Sequence, residues 1–389
     1  MTTSGTEALV SGDSAADFHE VREVFERAVA SGAELGASLT VDVDGETVVD
    51  LWGGYRDEAR TVSWTEDTIT NVWSLTKTVS NLAVLVLADR GLLDVHAPVA
   101  EYWPEFAAAG KADIRVAQVM GHTSGLSGWA QRPFATEDMY DRERSVALLA
   151  AQEPWWEPGT ASGYHGNTQG HLLGEIVRRI SGRSLREFVA EELAAPVGAD
   201  FQIGCRPTDR GRVADIVPPP PLPFDVSAMD QDSPAYKSMT GPASTAEDAN
   251  TEAWRDAEMG ALNGHGNARG ACRLLRSITL DGWSGGTRLL SPSTIELIFE
   301  EQANGVDVVL GMPLRWGTGY ALPLPASVPA VPEGRICFWG GWGGSFGLMD
   351  LDRRLTFTYV MNRMGPGLIG SDRSDSYLTA TLRALLSRR

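Results

Sequence analysis

The sequence predicts an α+β protein in which one antiparallel sheet is assembled from both ends of the chain around an inserted, mainly helical middle. Three observations carry that expectation. Strand-like runs with turn signals lie near both termini, helical patterns flank them, and the long stretch between is helical and loop-rich.

Residues 16–33, "ADFHEVREVFERAVASGA", place Phe18, Val21, Val24, Phe25, Ala28 and Val29 at helical spacing, so an amphipathic helix is expected. "ASLTVDVDGETVVDLWGGY" follows, with β-branched residues on both sides of Asp44-Gly45, a hairpin turn signal. The run 71–94, "NVWSLTKTVSNLAVLVLADRGLLD", reads as a helix over 75–90 closed by Gly91. Residues 162–195 read as two helices split at Gly182, whereas 205–250 are irregular. The latter hold "VPPPPLPF", an extended polyproline-like loop that suits a linker or part of a cap. Near the C-terminus "RICFWGG" reads as a strand, "SFGLMDLDRRLTFTYVMNRM" as two strands joined at "DLDRR", and "SDSYLTATLRALLSRR" as a closing helix. The expected division is therefore 1–95 with 250–389 as the sheet domain and 96–249 as the helical domain, with the ligand site in the cleft between them.

Composition narrows the function classes. The chain has 389 residues, a formal charge of −18 and 43% apolar residues, so it can bury a sizeable core but shows no basic patch for nucleic acid. Cys205, Cys272 and Cys337 are far apart in sequence and form no C-x-x-C pair, so neither a disulfide framework nor a zinc site is expected. The first residues show no basic segment followed by an apolar run, and the longest apolar run, "LAVLVLA", is too short to span a bilayer. A cytoplasmic protein with no membrane partner and a small-molecule substrate is the expectation; no feature of the pattern sets an oligomeric state.

Within the 71–94 run, Ser74 and Lys77 form a Ser-x-x-Lys pair. One reading makes Ser74 a helix cap and Lys77 a solvated charge. The other makes them nucleophile and base, since i and i+3 share a helix face and the helix N-terminus supplies a positive field. The cation inventory favours chemistry: the chain has 30 Arg but only three Lys, Lys77, Lys111 and Lys237. Arg cannot give up its proton at usable pH, so a base made from a cation must be Lys. Two rival G-x-S-x-G matches, around Ser284 and Ser345, lack the helix that must open directly after the serine. None of the six histidines follows either serine, which removes the third member such a triad needs.

The residues "SLTK", "GLLDVHAPVAEYWPEF", "VMGHTSGL", "EPGTASGYHGNTQGHLLGEIVRRISGRSLREFVAEELAAPVGA" and "WGGWGGSFG" occur in that order. The chain resembles the serine β-lactamase-like superfamily, and within it the family VIII carboxylesterases, relatives of class C β-lactamases and DD-peptidases. The resemblance runs from about residue 18 to the C-terminus, with a poor match over 205–250. It implies a β-lactamase/transpeptidase-like fold, an α/β/α sandwich with an inserted helical domain. It also implies Ser74 as the acylated nucleophile, Lys77 as its base or the base's partner, and Tyr164 as the group shuttling the proton to the leaving group. Trp339-Gly340-Gly341 stands at the third motif, and the backbone N–H groups of Trp342 and Ser74 would form the oxyanion hole. No metal or cofactor is implied.

Each of these has a plainer alternative. Tyr164 could be a core-edge tyrosine, and the glycines of "GGWGG" could serve a tight turn. His122 and His265 read as structural, and His165 as a structural residue or a lining residue of the site. Two departures from the family pattern bear on substrate. Trp339 stands where a cation would bind a substrate carboxylate, and Gly166 stands where an Asn would meet a substrate amide, with Asn167 one position late. Losing a charged hydrogen bond forfeits about 1.5–3 kcal/mol, so the expectation is an esterase for small, neutral, fairly apolar carboxylic esters. A β-lactamase, DD-peptidase or small-amide hydrolase is the alternative, and a non-catalytic binding module the third.

Overall fold

The computed structural model describes residues 9–221 and 225–388. Leu222 to Phe224 of the proline run and the first eight residues lie outside the described residues. The main sheet has nine strands, and both chain ends contribute to it. Across the sheet they run Val10–Ser14, Glu46–Gly54, Gly36–Val43, Leu355–Met361, Phe346–Asp350, Ile336–Gly340, Ala321–Leu322, Pro313–Trp316 and Ala303–Val306. Every pairing is antiparallel. N- and C-terminal halves meet where Leu39 pairs with Tyr359.

The side-chain period of two explains why both faces of this sheet are covered. Along the strand Leu355–Met361, Tyr359 points to the helices His19–Ser31 and Asp372–Ser387, its ring 5.2 Å from that of Tyr377. The alternate residues Thr356 and Thr358 point the other way. Thr358 donates to Ala268 O at 2.8 Å and Thr356 lies 2.8 Å from Thr279, so the helix Ala268–Thr279 covers that face. The result is an α/β/α sandwich with the expected antiparallel sheet. The Asp44-Gly45 turn is also as expected, with φ of 52° and 87°, the left-handed pair a type I′ hairpin requires.

The helix Thr76–Asp89 is the central strut, buried from Thr76 to Leu87 and packed on the helix Gln169–Ser181 and on Ala268–Thr279. It is fed by the short strand Ile69–Asn71, held in a four-stranded sheet beside Gly264–Gly266 and Val213–Ala214. Between Val99 and Asp256 the chain is mainly helical. The reading of two helices split at Gly182 holds, with Gly182 left-handed at φ 74°. Among the described residues, no helix is long and apolar enough to cross a membrane.

Candidate active site

Between strand and helix the backbone makes a sharp turn. Trp73 sits in the left-handed region at φ 52°, a conformation that costs a bulky residue roughly 1–3 kcal/mol. Its ring packs edge-on against Trp254 and Trp342, with centroids 5.5 and 5.1 Å away, and this packing holds the turn. Thr76 Oγ1 accepts the Gly264 N–H at 2.8 Å, tying the start of the helix to the neighbouring strand. Ser74 therefore stands just ahead of the first helical turn without capping it, since no side chain caps this helix.

Lys77 is buried, 2% exposed, and its Nζ has three oxygen neighbours. Ser74 Oγ is 3.0 Å away, Gly166 O 2.7 Å and Ala261 O 2.9 Å. The solvated-lysine reading is thereby excluded. Burial lowers the Lys77 pKa well below the ordinary lysine value. A neutral amine has two N–H bonds and one lone pair. Two of its three neighbours are carbonyls, which only accept, so they take both N–H bonds. The lone pair is left for the Ser74 hydroxyl.

Tyr164 leans over this pair, with Lys77 Nζ 4.8 Å from its ring centre. Its hydroxyl accepts the indole N–H of Trp339 at 3.0 Å. Its ring is boxed by His122 at 5.0 Å, Trp339 at 5.1 Å and the parallel ring of Trp316 at 6.1 Å. Burial is the main cause that raises the Tyr164 pKa above the usual phenol range, which favours the protonated phenol. Because indole only donates, the phenol proton cannot point at Trp339 and is free for Ser74 or a leaving group.

The strand Ile336–Gly340 runs past the nucleophile turn at very short range. A Cβ at Gly341 would meet Val72 O at 2.3 Å, so only glycine lets the two backbones approach this closely. Trp342 follows in the turn leading to Phe346–Asp350. Among the described residues, no protein acceptor takes the backbone N–H of Ser74 or of Trp342. Both residues line one cavity of about 260 Å³ with Trp73, Tyr164, Asn167, Trp254, Leu262 and Leu310. Ser127, Ser238 and Met239 also line it, and no charged side chain lines it among the described residues.

The structure thus brings Ser74, Lys77, Tyr164 and Trp342 together. Four residues expected at the substrate, Trp339, Gly340, Gly341 and His165, do not line the cavity. Trp339 is 2% exposed and its ring turns inward onto Tyr164, away from the cavity. Gly340 and Gly341 supply close backbone packing and do not line the cavity. His165 is fully buried behind the site, with Nε2 and Nδ1 each 2.6 Å from Ser124 Oγ and Gly163 O, and burial lowers its pKa to about 4. His122 accepts the His165 backbone N–H at 3.0 Å, the loop-ordering role expected for it. The rival Ser284 is spent on Arg273 O and Arg276, and Ser345 is buried in the turn between two strands.

Sequence reasoning missed Trp73, Trp254 and Asp307 as parts of the site. Trp73 was visible only as a neighbour of Ser74. Asp307, in "ANGVDVVLGMP", carried no motif at all.

Comparison with known proteins agrees with this fold. The family model described as Beta-lactamase matches residues 21–380. "Esterase/beta-lactamase LipL" of Mycobacterium tuberculosis is 35% identical over 87% of this chain and 79% of its own length. The crystal structure of a family VIII carboxylesterase superposes with a TM-score of 0.90 at 39% identity, covering 96% of this chain and 99% of that one. A penicillin-binding protein homolog from Caulobacter crescentus superposes with a TM-score of 0.89 at 35% identity, covering 96% of this chain and 99% of that one.

Proposed function

The chain belongs to the Beta-lactamase family, and we propose that it is a serine ester hydrolase working through an acyl-enzyme on Ser74. The observation that carries this reading is the buried Lys77, whose two carbonyl partners leave its lone pair for the Ser74 hydroxyl. Relatives named esterase and carboxylesterase support it.

The steps follow from the contacts. Lys77 takes the Ser74 proton as Oγ attacks the ester carbonyl. The free N–H groups of Ser74 and Trp342 receive the oxyanion, worth roughly 3–4 kcal/mol per donor in such sites. Tyr164, held as a neutral phenol, gives its proton to the departing alkoxide and takes one back from the Lys77 ammonium above which it leans, so both groups return to their starting states. Trp339 holds the phenol oxygen in place and never meets the substrate. Water then attacks the acyl-enzyme with Lys77 and Tyr164 in the same roles.

The cavity supports a reading of the substrate class. Its lining is mostly apolar and aromatic and offers no charge, which suits small, neutral carboxylic esters. A substrate carboxylate would enter unpaired, a costly burial. One observation favours the amide reading: Asn167 lines the cavity although it comes one residue late, so an amide-recognising side chain is present. Parallel turnover of p-nitrophenyl butyrate and a chromogenic cephalosporin decides between them. The ester is expected to be the faster substrate, and a faster cephalosporin overturns the proposal. Ser74→Ala should abolish ester turnover and fluorophosphonate labelling.

A further inference from the structure

A carboxylate outside the Ser-Lys-Tyr set reaches into the site from the sheet edge. Asp307 is fully buried in the loop that joins the strands Ala303–Val306 and Pro313–Trp316. Its Oδ1 accepts three backbone N–H groups, from Tyr164 at 2.9 Å and from Val309 and Leu310 at 3.0 Å each. The loop is closed on itself, with Asp307 N–H donating to Met312 O at 3.0 Å and Gly311 N–H to Asp307 O at 2.8 Å. A second tie to the segment carrying Tyr164 runs from Val308 N–H to Ser162 O at 2.8 Å. Val309, Leu310 and Tyr164 all line the catalytic cavity. One oxygen atom therefore joins the backbone of the proton donor to the wall that shapes the substrate.

The second oxygen, Oδ2, is buried with no partner among the described residues. An unpaired buried carboxylate oxygen is costly, so a residue kept only for folding would not need it. The groups facing Tyr164 are Lys77 from the central helix, His122 from the loop after Val116–Met120, and Asp307 from the sheet edge. Of these Asp307 alone is an anion. After burial and its bonds to Ser74 and Trp339, its charge is a further influence on Tyr164, and it opposes a phenolate there.

We propose that Asp307 is a positioning residue for proton donation, holding Tyr164 and the Val309–Leu310 wall in one register. This rests on the reading of Tyr164 as the group that protonates the leaving alkoxide. An activated aryl ester expels a phenolate that needs no proton, whereas an ethyl ester expels an alkoxide that does. Loss of the positioning should therefore slow the ethyl ester of a given acid far more than its p-nitrophenyl ester. A general loss of structure would slow both equally.

The experiment compares Asp307→Ala, Asp307→Asn and Tyr164→Phe on p-nitrophenyl butyrate and ethyl butyrate, with circular dichroism to confirm folding. Tyr164→Phe should lower kcat/KM, which reports acylation and leaves out the butyryl-enzyme hydrolysis both esters share, about 100-fold more for the ethyl ester than for the aryl ester. Asp307→Ala should show the same contrast at about tenfold or more, and Asp307→Asn, which retains an acceptor for the three N–H groups, should recover most of it. If Tyr164→Phe shows no contrast, the assignment of Tyr164 fails. If Tyr164→Phe shows the contrast while Asp307→Ala slows both esters alike, Asp307 is no positioning residue. Failure of both Asp307 variants to fold likewise overturns the proposal, since the carboxylate would then serve the fold alone.

Discussion

Substituting Gly341 by Ala tests whether the approach of strand to nucleophile turn sets the oxyanion geometry. Gly341 is not in the left-handed region, so alanine is allowed by its backbone and the cost is one of contact alone. The added Cβ would lie 2.3 Å from Val72 O, 3.2 Å from Trp73 Cβ and 3.3 Å from Ser345 Cβ. Ordinary contact needs about 3.4 Å, so strand and turn must part by about 1 Å. The next residue carries the Trp342 N–H, and Ser74 lies two residues beyond Val72, so the two donors move apart. Misplacement by about 1 Å in a positioned site costs about 100-fold in rate. That corresponds to about 2.7 kcal/mol of barrier. The assay is kcat and KM for p-nitrophenyl butyrate, with the rate of fluorophosphonate labelling, because the phosphonyl oxygen uses the same donors. Both rates should fall about 100-fold with KM changed little, and the overpacking should cost about 1–3 kcal/mol of stability. Gly211→Ala is the control, since its Cβ would meet nothing within 4 Å. A folded Gly341→Ala enzyme with kcat within about threefold of the parent would refute the assigned oxyanion geometry.

Three further outcomes follow from the same contacts. Trp339→Phe deletes the N–H donated to Tyr164 and should lower kcat about fivefold, the worth of about 1 kcal/mol, with KM nearly unchanged; a large rise in KM would return Trp339 to substrate binding. The base must be neutral, so kcat/KM should fall as pH drops through the lowered Lys77 pKa and hold a plateau on the alkaline side, where Tyr164 stays protonated; an alkaline limb near pH 8 would contradict this. His165 and His265 are buried with pKa values lowered from 6.5 to about 4. The unfolded chain takes up protons there that the folded one refuses, so stability present above pH 6.5 is lost as pH falls toward 4. Each site contributes on the order of 3 kcal/mol, and a flat Tm over that window would show the burial to be overstated.

Features set by local chemistry were legible in the sequence, and features made by distant chain were not. The Asp44-Gly45 hairpin, the paired strands around "DLDRR" and the terminal helices follow from turn residues and short periods. The short strands at Pro313–Trp316 and Ala321–Leu322, near one end of the sheet, carry little pattern and are visible only through their neighbours. Scarcity singled out Lys77 because a proton-releasing cation is chemically distinct from Arg. What leaves its lone pair for Ser74 is a pair of carbonyls 89 and 184 residues away, and backbone atoms leave no mark in a sequence.

Trp339 shows how a correct observation can point at the wrong contact. Its lack of charge was readable from the motif, and a substrate-facing ring was the direct inference. The indole N–H, however, needs an acceptor when buried, and the Tyr164 hydroxyl supplies one. Turning inward satisfies that donor and fixes the direction of the phenol proton at once. A lysine at this position would place a buried cation beside the Tyr164 hydroxyl, which favours the phenolate over the phenol that the proposed mechanism requires. The proposed preference for neutral substrates therefore rests on two separate observations, an uncharged cavity wall and a Tyr164 hydroxyl held by an uncharged partner. Restoring a cation by Trp339→Lys should consequently impair ester turnover more than it helps any carboxylate-bearing substrate.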